Sequence, residues 1–121
     1  MSKLKVLIFK KLLTIGIISL LIASNYSNAG GWSGIATVDE IYALNPTQVI
    51  VKLSTFSNPH ACLVNADGQV IFNPSTNKEF LSIFLAAQAS GRKVNVFVGD
   101  TCTPVWNNTS YADIIHVKIG S

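Results

Sequence analysis

The chain carries no HExxH metal motif, no GxSxG nucleophile elbow and no glycine-rich phosphate loop. None of the short arrangements that place a metal, an activated serine or a nucleotide is therefore present. Its two histidines, His60 and His116, are isolated, and neither Cys62 nor Cys102 has a second ligand pair beside it, which argues against a two-cysteine metal site. Asp39 and Glu40 are adjacent, but neighbours on a strand point to opposite faces and do not share a site. A triad built from distant residues stays open in principle, yet no catalytic residue, metal or cofactor is indicated. The expectation is a protein that binds rather than catalyses. Repeats, low-complexity tracts and linkers are also missing.

Positive charge is scarcer than the totals suggest. Four of the nine Lys and Arg residues, Lys3, Lys5, Lys10 and Lys11, precede the apolar run 12–23, and Ser27-Asn28-Ala29 then offers small residues where a signal peptidase reads. Residues 1–29 are expected to be a secretory signal peptide of bacterial type. An uncleaved anchor helix is the competing reading, but the run beyond Lys11 is short for a bilayer core of about 30 Å. Removing the leader leaves five basic residues against all six acidic ones, a net charge of −1. The sequence pI of about 9.0 thus belongs mostly to the leader, and no nucleic-acid or membrane partner is expected of the mature chain.

Residues 30–121 suffice for one small domain with one modest core. In an exported chain an even cysteine pair is most simply a disulfide. Closing a loop of about 40 residues between Cys62 and Cys102 stabilises by on the order of 4 kcal/mol in the chain-entropy model.

The clearest element is a helix over residues 76–91. Thr76 and Glu79 have capping-box spacing, and Gly91 supplies the left-handed residue that commonly ends a helix. Phe80, Phe84 and Ala87 form a stripe, flanked by Ile83 on one side and by Leu81 and Leu85 on the other. The stripe is wider than one helix on a small sheet needs, so either all of it is core or one flank meets a second subunit.

Around the helix lie strand patterns. Residues 32–44 read as a long first strand with a bend or bulge at Gly34. Residues 48–54 alternate, with Val49, Val51 and Leu53 on one face. Residues 60–64 read as a third strand that turns at Asp67-Gly68 into a return arm, Val70-Ile71-Phe72. After the helix, residues 92–98 place Val94, Val96 and Val98 on one face; residues 99–110 read as a loop. In the last strand, 111–119, Ile115, Val117 and Ile119 are expected inward, with Ile114, His116 and Lys118 outward.

This gives a mainly β protein with one helix, ordered β-β-β-α-β-β, the order of the five-stranded Greek-key OB barrel. In architecture the chain resembles the B subunits of bacterial AB5-type toxins, subtilase-cytotoxin type included, with no residue-level motif in common. The resemblance implies a ring of subunits with helices around a central pore, and a glycan receptor.

The best candidates for binding are Trp106, Asn107, Asn108 and Thr109, with Tyr111 just beyond them. Aromatic faces stack on sugar rings, amides and hydroxyls add directional hydrogen bonds, and OB-folds commonly bind through this loop. The alternative is that Trp106 folds back over the barrel mouth beside the cysteine bridge. Trp32 reads as a strand-edge anchor, His60 as the end of a turn, and His116 as a solvated or interface residue. The function expected is that of a secreted or periplasmic protein recognising a glycan or cell-surface partner, with homo-oligomer contacts through the helix; the alternative is modulation or inhibition of another protein.

Overall fold

The computed structural model describes residues 30–57, 62–64 and 68–120. The expected signal peptide over 1–29 and the readings placed on His60 and Asp67 lie outside the described residues. Among the described residues six strands and one helix follow one another: β1 (Gly31–Trp32), β2 (Val38–Asn45), β3 (Gln48–Leu53), β4 (Gln69–Phe72), α1 (Lys78–Ser90), β5 (Val94–Pro104) and β6 (Ser110–Ile119). They form one mixed sheet in the spatial order β1-β5-β6-β4-β3-β2. Only the β4–β6 pair is parallel. The ladder is not closed, and β1 and β2 are its edges. The mainly β, one-helix architecture expected from the sequence is present, with six strands in place of five.

The extra strand comes from a break in the segment read as a single first strand. Gly34 adopts φ +83, a conformation costly for other residues, and a Cβ there would approach the Ser57 hydroxyl to 2.8 Å. Next to it, Ser33 is fully buried. Its N–H donates to the Val96 carbonyl at 2.7 Å, and its hydroxyl accepts from the Val96 N–H at 3.0 Å. A side chain thus takes over from a backbone carbonyl where the chain turns out of the ladder, as a buried amide requires. Beyond the break Ala36 exchanges backbone hydrogen bonds with Val94 in β5, while the Thr37 carbonyl accepts from Ser54, just past β3. The connector is therefore tied to both sides of the sheet.

The apolar alternation in β3 and β5 is met by the main core. Val49, Val51 and Leu53 join Val70, Phe72, Val94, Val96, Val98, Ala112 and Ile114 beneath the helix, which contributes Phe84 and Ala87. Phe72 is wedged between Phe80 and Phe84, with ring centroids 5.9 and 5.6 Å away. Full burial of each such side chain is worth about 1.5–3 kcal/mol over exposure.

Four sequence expectations need correction. The helix starts at Lys78, and its N-cap is Asn77 without a side-chain capping bond. Thr76 is not the cap because its hydroxyl is engaged with the Asn73 carbonyl, at 3.3 Å, in the preceding turn; Gly91 does end the helix in the left-handed region. The strand expected at 60–64 is absent among its described residues, 62–64. There Leu63 is held by Ser110, its N–H donating to the Ser110 hydroxyl at 3.0 Å and its carbonyl accepting from the Ser110 N–H at 2.8 Å, and the third strand is β4.

The loop expected over 99–110 shrinks to 105–109. β5 continues past Val98 to Pro104 after a register shift, which erases the alternation by which a strand is read. A shift in the same ladder pairs Val98 with Ile114 and Phe97 with His116, so Ile115 has no partner. Ile114 is then buried at 6% exposure and Ile115 turns out at 44%, the reverse of expectation. A one-residue bulge inverts the faces of the residues beside it.

Cys62 and Cys102 form the expected disulfide, with Cα atoms 5.7 Å apart. It ties the segment at Leu63 to the extended arm of β5.

Candidate functional site

The residues that alternate away from the helix form a second, smaller apolar cluster. Ile50, Ile71 and Tyr111 are its buried members, with Leu44, Val64 and Val105 packed around them. Tyr42 of β2 lies opposite Ile50, and Ile50 opposite Ile71, so Tyr42 ends a row that crosses three strands.

Trp106 stands over this cluster. Its ring centroid is 6.2 Å from that of Tyr42 and 6.1 Å from that of Tyr111, both edge-to-face. That geometry suits aromatic pairs and contributes about 0.5–1.5 kcal/mol per pair beyond area. Trp106 and Tyr42 are 44% and 46% exposed, whereas Tyr111 is 1% exposed. Burial raises the Tyr111 pKa above its ordinary 10.0; a hydrogen bond with Thr109 opposes this and the nearby Tyr42 adds to it.

The loop that carries Trp106 is a tight turn. The Thr109 N–H donates to the Trp106 carbonyl at 3.1 Å. Asn108, with φ +61, takes the left-handed position that asparagine tolerates in turns. The Thr109 hydroxyl accepts from the Trp106 N–H at 3.1 Å and donates to its carbonyl at 3.0 Å.

The five residues singled out in the sequence thus meet at one end of the β5–β6 hairpin with different tasks. Trp106, Asn107 and Asn108 are exposed. Thr109 fixes the turn, and the buried Tyr111 bears the Trp106 ring from below. Tyr42 was not singled out, although its position alternates outward with Glu40 on β2. Only the pairing of β2 to β3 and of Trp106 to Tyr42 brings it into the group. The result is a half-exposed aromatic pair bordered by two amides.

A second aromatic group occupies the same face at the β1 edge. Trp32, paired with Phe97, meets that ring edge-to-face at 5.3 Å and stacks near His116 at 6.4 Å. The Lys118 ammonium lies 4.3 Å from the centre of the Trp32 ring, a cation–π contact. Trp32 does sit on an edge strand, and His116 is exposed. Between the two groups Asp113 accepts hydrogen bonds from the hydroxyls of Thr101, at 2.6 Å, and Thr103, at 2.5 Å.

Among the described residues no group of three or more His, Cys, Asp or Glu could hold a metal ion, and no helix is long and apolar enough to cross a membrane. No protein-family model matches the chain, and no curated protein or solved structure is significantly similar to it.

Proposed function

We propose that the chain is a secreted, non-catalytic binding protein that recognises a glycan through Trp106 and Tyr42, with Asn107 and Asn108 as hydrogen-bonding partners. The observation that carries this reading is the half-exposure of both rings over a buried support. Trp106, which rests on Tyr111 and packs against Tyr42, loses little freedom on binding, and a sugar's C–H faces stack on such surfaces while the amides select its hydroxyls.

The fold behind this reading is an OB-like barrel with a split first strand. Its support is the connector 33–37, which bonds to β5 on one side and to the residue after β3 on the other. Assembly into a ring of toxin B-like subunits belongs to the same proposal. Leu85 of α1 is 50% exposed, and an apolar side chain on that flank suits a helix that meets a second copy.

A glycan array probed with the purified protein and with Trp106→Ala tests the site. The expected result is a set of neutral glycans bound by the wild type and lost in the variant, at unchanged fold. Binding that persists in the variant removes Trp106 from the site. A second reading, modulation of another protein, is favoured by the two sheet edges, β1 and β2, which can accept a partner strand. Absence of glycan binding together with a monomeric mass in solution turns the balance to it.

A further inference from the structure

The outer face holds a hollow that the Trp106 site does not use. Ile35, Asn95, Lys118, Ile119 and Gly120 line it, with a volume of about 120 Å³. Asn95 and Lys118 are direct partners across the β5–β6 ladder, so both project to this face beside Trp32. A water molecule occupies about 30 Å³ of liquid. The hollow therefore has room for a carboxylate and the part of a ring that bears it, and not for a whole oligosaccharide.

We propose that this hollow binds the carboxylate-bearing terminal residue of an acidic saccharide. The charge is the first reason. The Lys118 ammonium is held at 4.3 Å over the Trp32 ring, and the Arg92 guanidinium borders the rim, with Nη2 lying 3.6 Å from where a Cβ on Gly120 would stand. Among the described residues neither cation is in an ion pair. An ammonium fixed by an aromatic face keeps N–H donors for an anion and is already ordered, which lowers the cost of binding one.

The second reason is the placement of the neutral groups. The Asn95 side chain lines the hollow, and its amide Nδ2 can donate to a ligand oxygen; the Ser33 hydroxyl beside it spends its one proton on the Gly34 carbonyl, at 2.8 Å. Ile35 is 46% exposed and, with Ile119, offers an apolar wall to the C–H side of a sugar ring. Two cations, one amide donor and an apolar wall around a small hollow match a ring that carries one carboxylate.

The choice of a saccharide over a bare carboxylate rests on the glycan-binding reading; the anion site does not. The test is a titration of the purified protein with methyl glucuronide and with methyl glucoside, followed by NMR, on the wild type, Lys118→Met, Arg92→Gln and Trp106→Ala. Saturable glucuronide binding is expected, at least tenfold weaker for the glucoside. Lys118→Met should weaken glucuronide binding at least tenfold and Arg92→Gln by a smaller factor, while Trp106→Ala leaves it unchanged. No saturation by glucuronide of the Asn95 and Lys118 signals overturns the proposal, as does equal binding of the glucoside read at those signals or an unaltered affinity in Lys118→Met. Acetate bound as tightly as glucuronide overturns the saccharide assignment. Loss of neutral-glycan binding in Trp106→Ala is read in the same experiment, so the failure of one site is distinguishable from the failure of the other.

Discussion

Trp106 and Trp32 lie on the same face of one sheet, but Trp106 is carried by the turn at 105–109 and Trp32 by a strand of only two residues. Trp106 owes its position to local groups: Thr109 bonds to both ends of its backbone unit, and Tyr111 lies two strand positions beyond. Trp32 owes its position to distant ones, since Phe97, His116 and Lys118 come from the two longest strands. The first group is bordered by neutral amides, the second by cations. A hairpin end can thus present an apolar platform, while the strand edge places charge beside an aromatic ring.

The largest test of this contrast is removal of the disulfide. Cys62→Ala with Cys102→Ala should cost about 2–5 kcal/mol of unfolding free energy in a denaturant titration. Amide exchange should then quicken around Leu63, Ser110 and the Trp106 turn, which the bridged segment supports, more than around Trp32. Equal acceleration at both groups would break the distinction between them.

Ser33→Ala probes the other side. The Val96 N–H loses its acceptor at a buried position, which costs about 1–3 kcal/mol. Exchange at Val96 should rise and the Trp32 fluorescence environment should change, with the Trp106 turn unaffected. A stability within about 0.5 kcal/mol of wild type, the range for ordinary surface changes, shows that the break at Gly34 is held by other bonds.

These two groups also differ in how far the sequence discloses them. The helix and the alternating core of β3 and β5 were legible because each rests on spacing within one short segment, and the disulfide because the chain has a single pair of cysteines. The Trp106 turn was legible only as part of the longer loop read over 99–110, because Asn107, Asn108 and Thr109 are turn-forming residues. The arm of β5 beyond Val98 was not, since the register shift breaks its period and Gly99, Pro104 and the threonines read as loop. Ile114 and Ile115 exchanged faces because a bulge has no mark in the residues that form it. Tyr42, Phe97 and Lys118 stayed out of the candidate site because only strand pairing brings them to the tryptophans. His116 was read as exposed but not as a neighbour of Trp32.

A smaller effect is expected from Trp106→Ala in the absence of ligand. The ring is half exposed and its two edge-to-face contacts are worth about 0.5–1.5 kcal/mol each at most, so a loss of about 1 kcal/mol is expected by thermal or denaturant unfolding. A loss above about 3 kcal/mol, the scale of an aromatic removed from a core, would make the residue a lid of the second cluster rather than a platform.

The smallest effect is silent at neutral pH. Tyr111 has a pKa above its ordinary 10.0, first because burial disfavours the phenolate. The sign follows from linkage: where the folded pKa is the higher one, the folded state binds the proton more tightly, so the contribution is complete below pH 10.0 and is lost as pH rises from there through the folded value. Stability of the wild type should therefore fall with pH above this point more steeply than that of Tyr111→Phe, which cannot ionise. The fluorescence of Trp106, whose ring rests on Tyr111, should respond to the Tyr111 titration itself. Parallel alkaline curves for wild type and Tyr111→Phe would place the Tyr111 hydroxyl in water and weaken its role as the buried support on which the Trp106 platform depends.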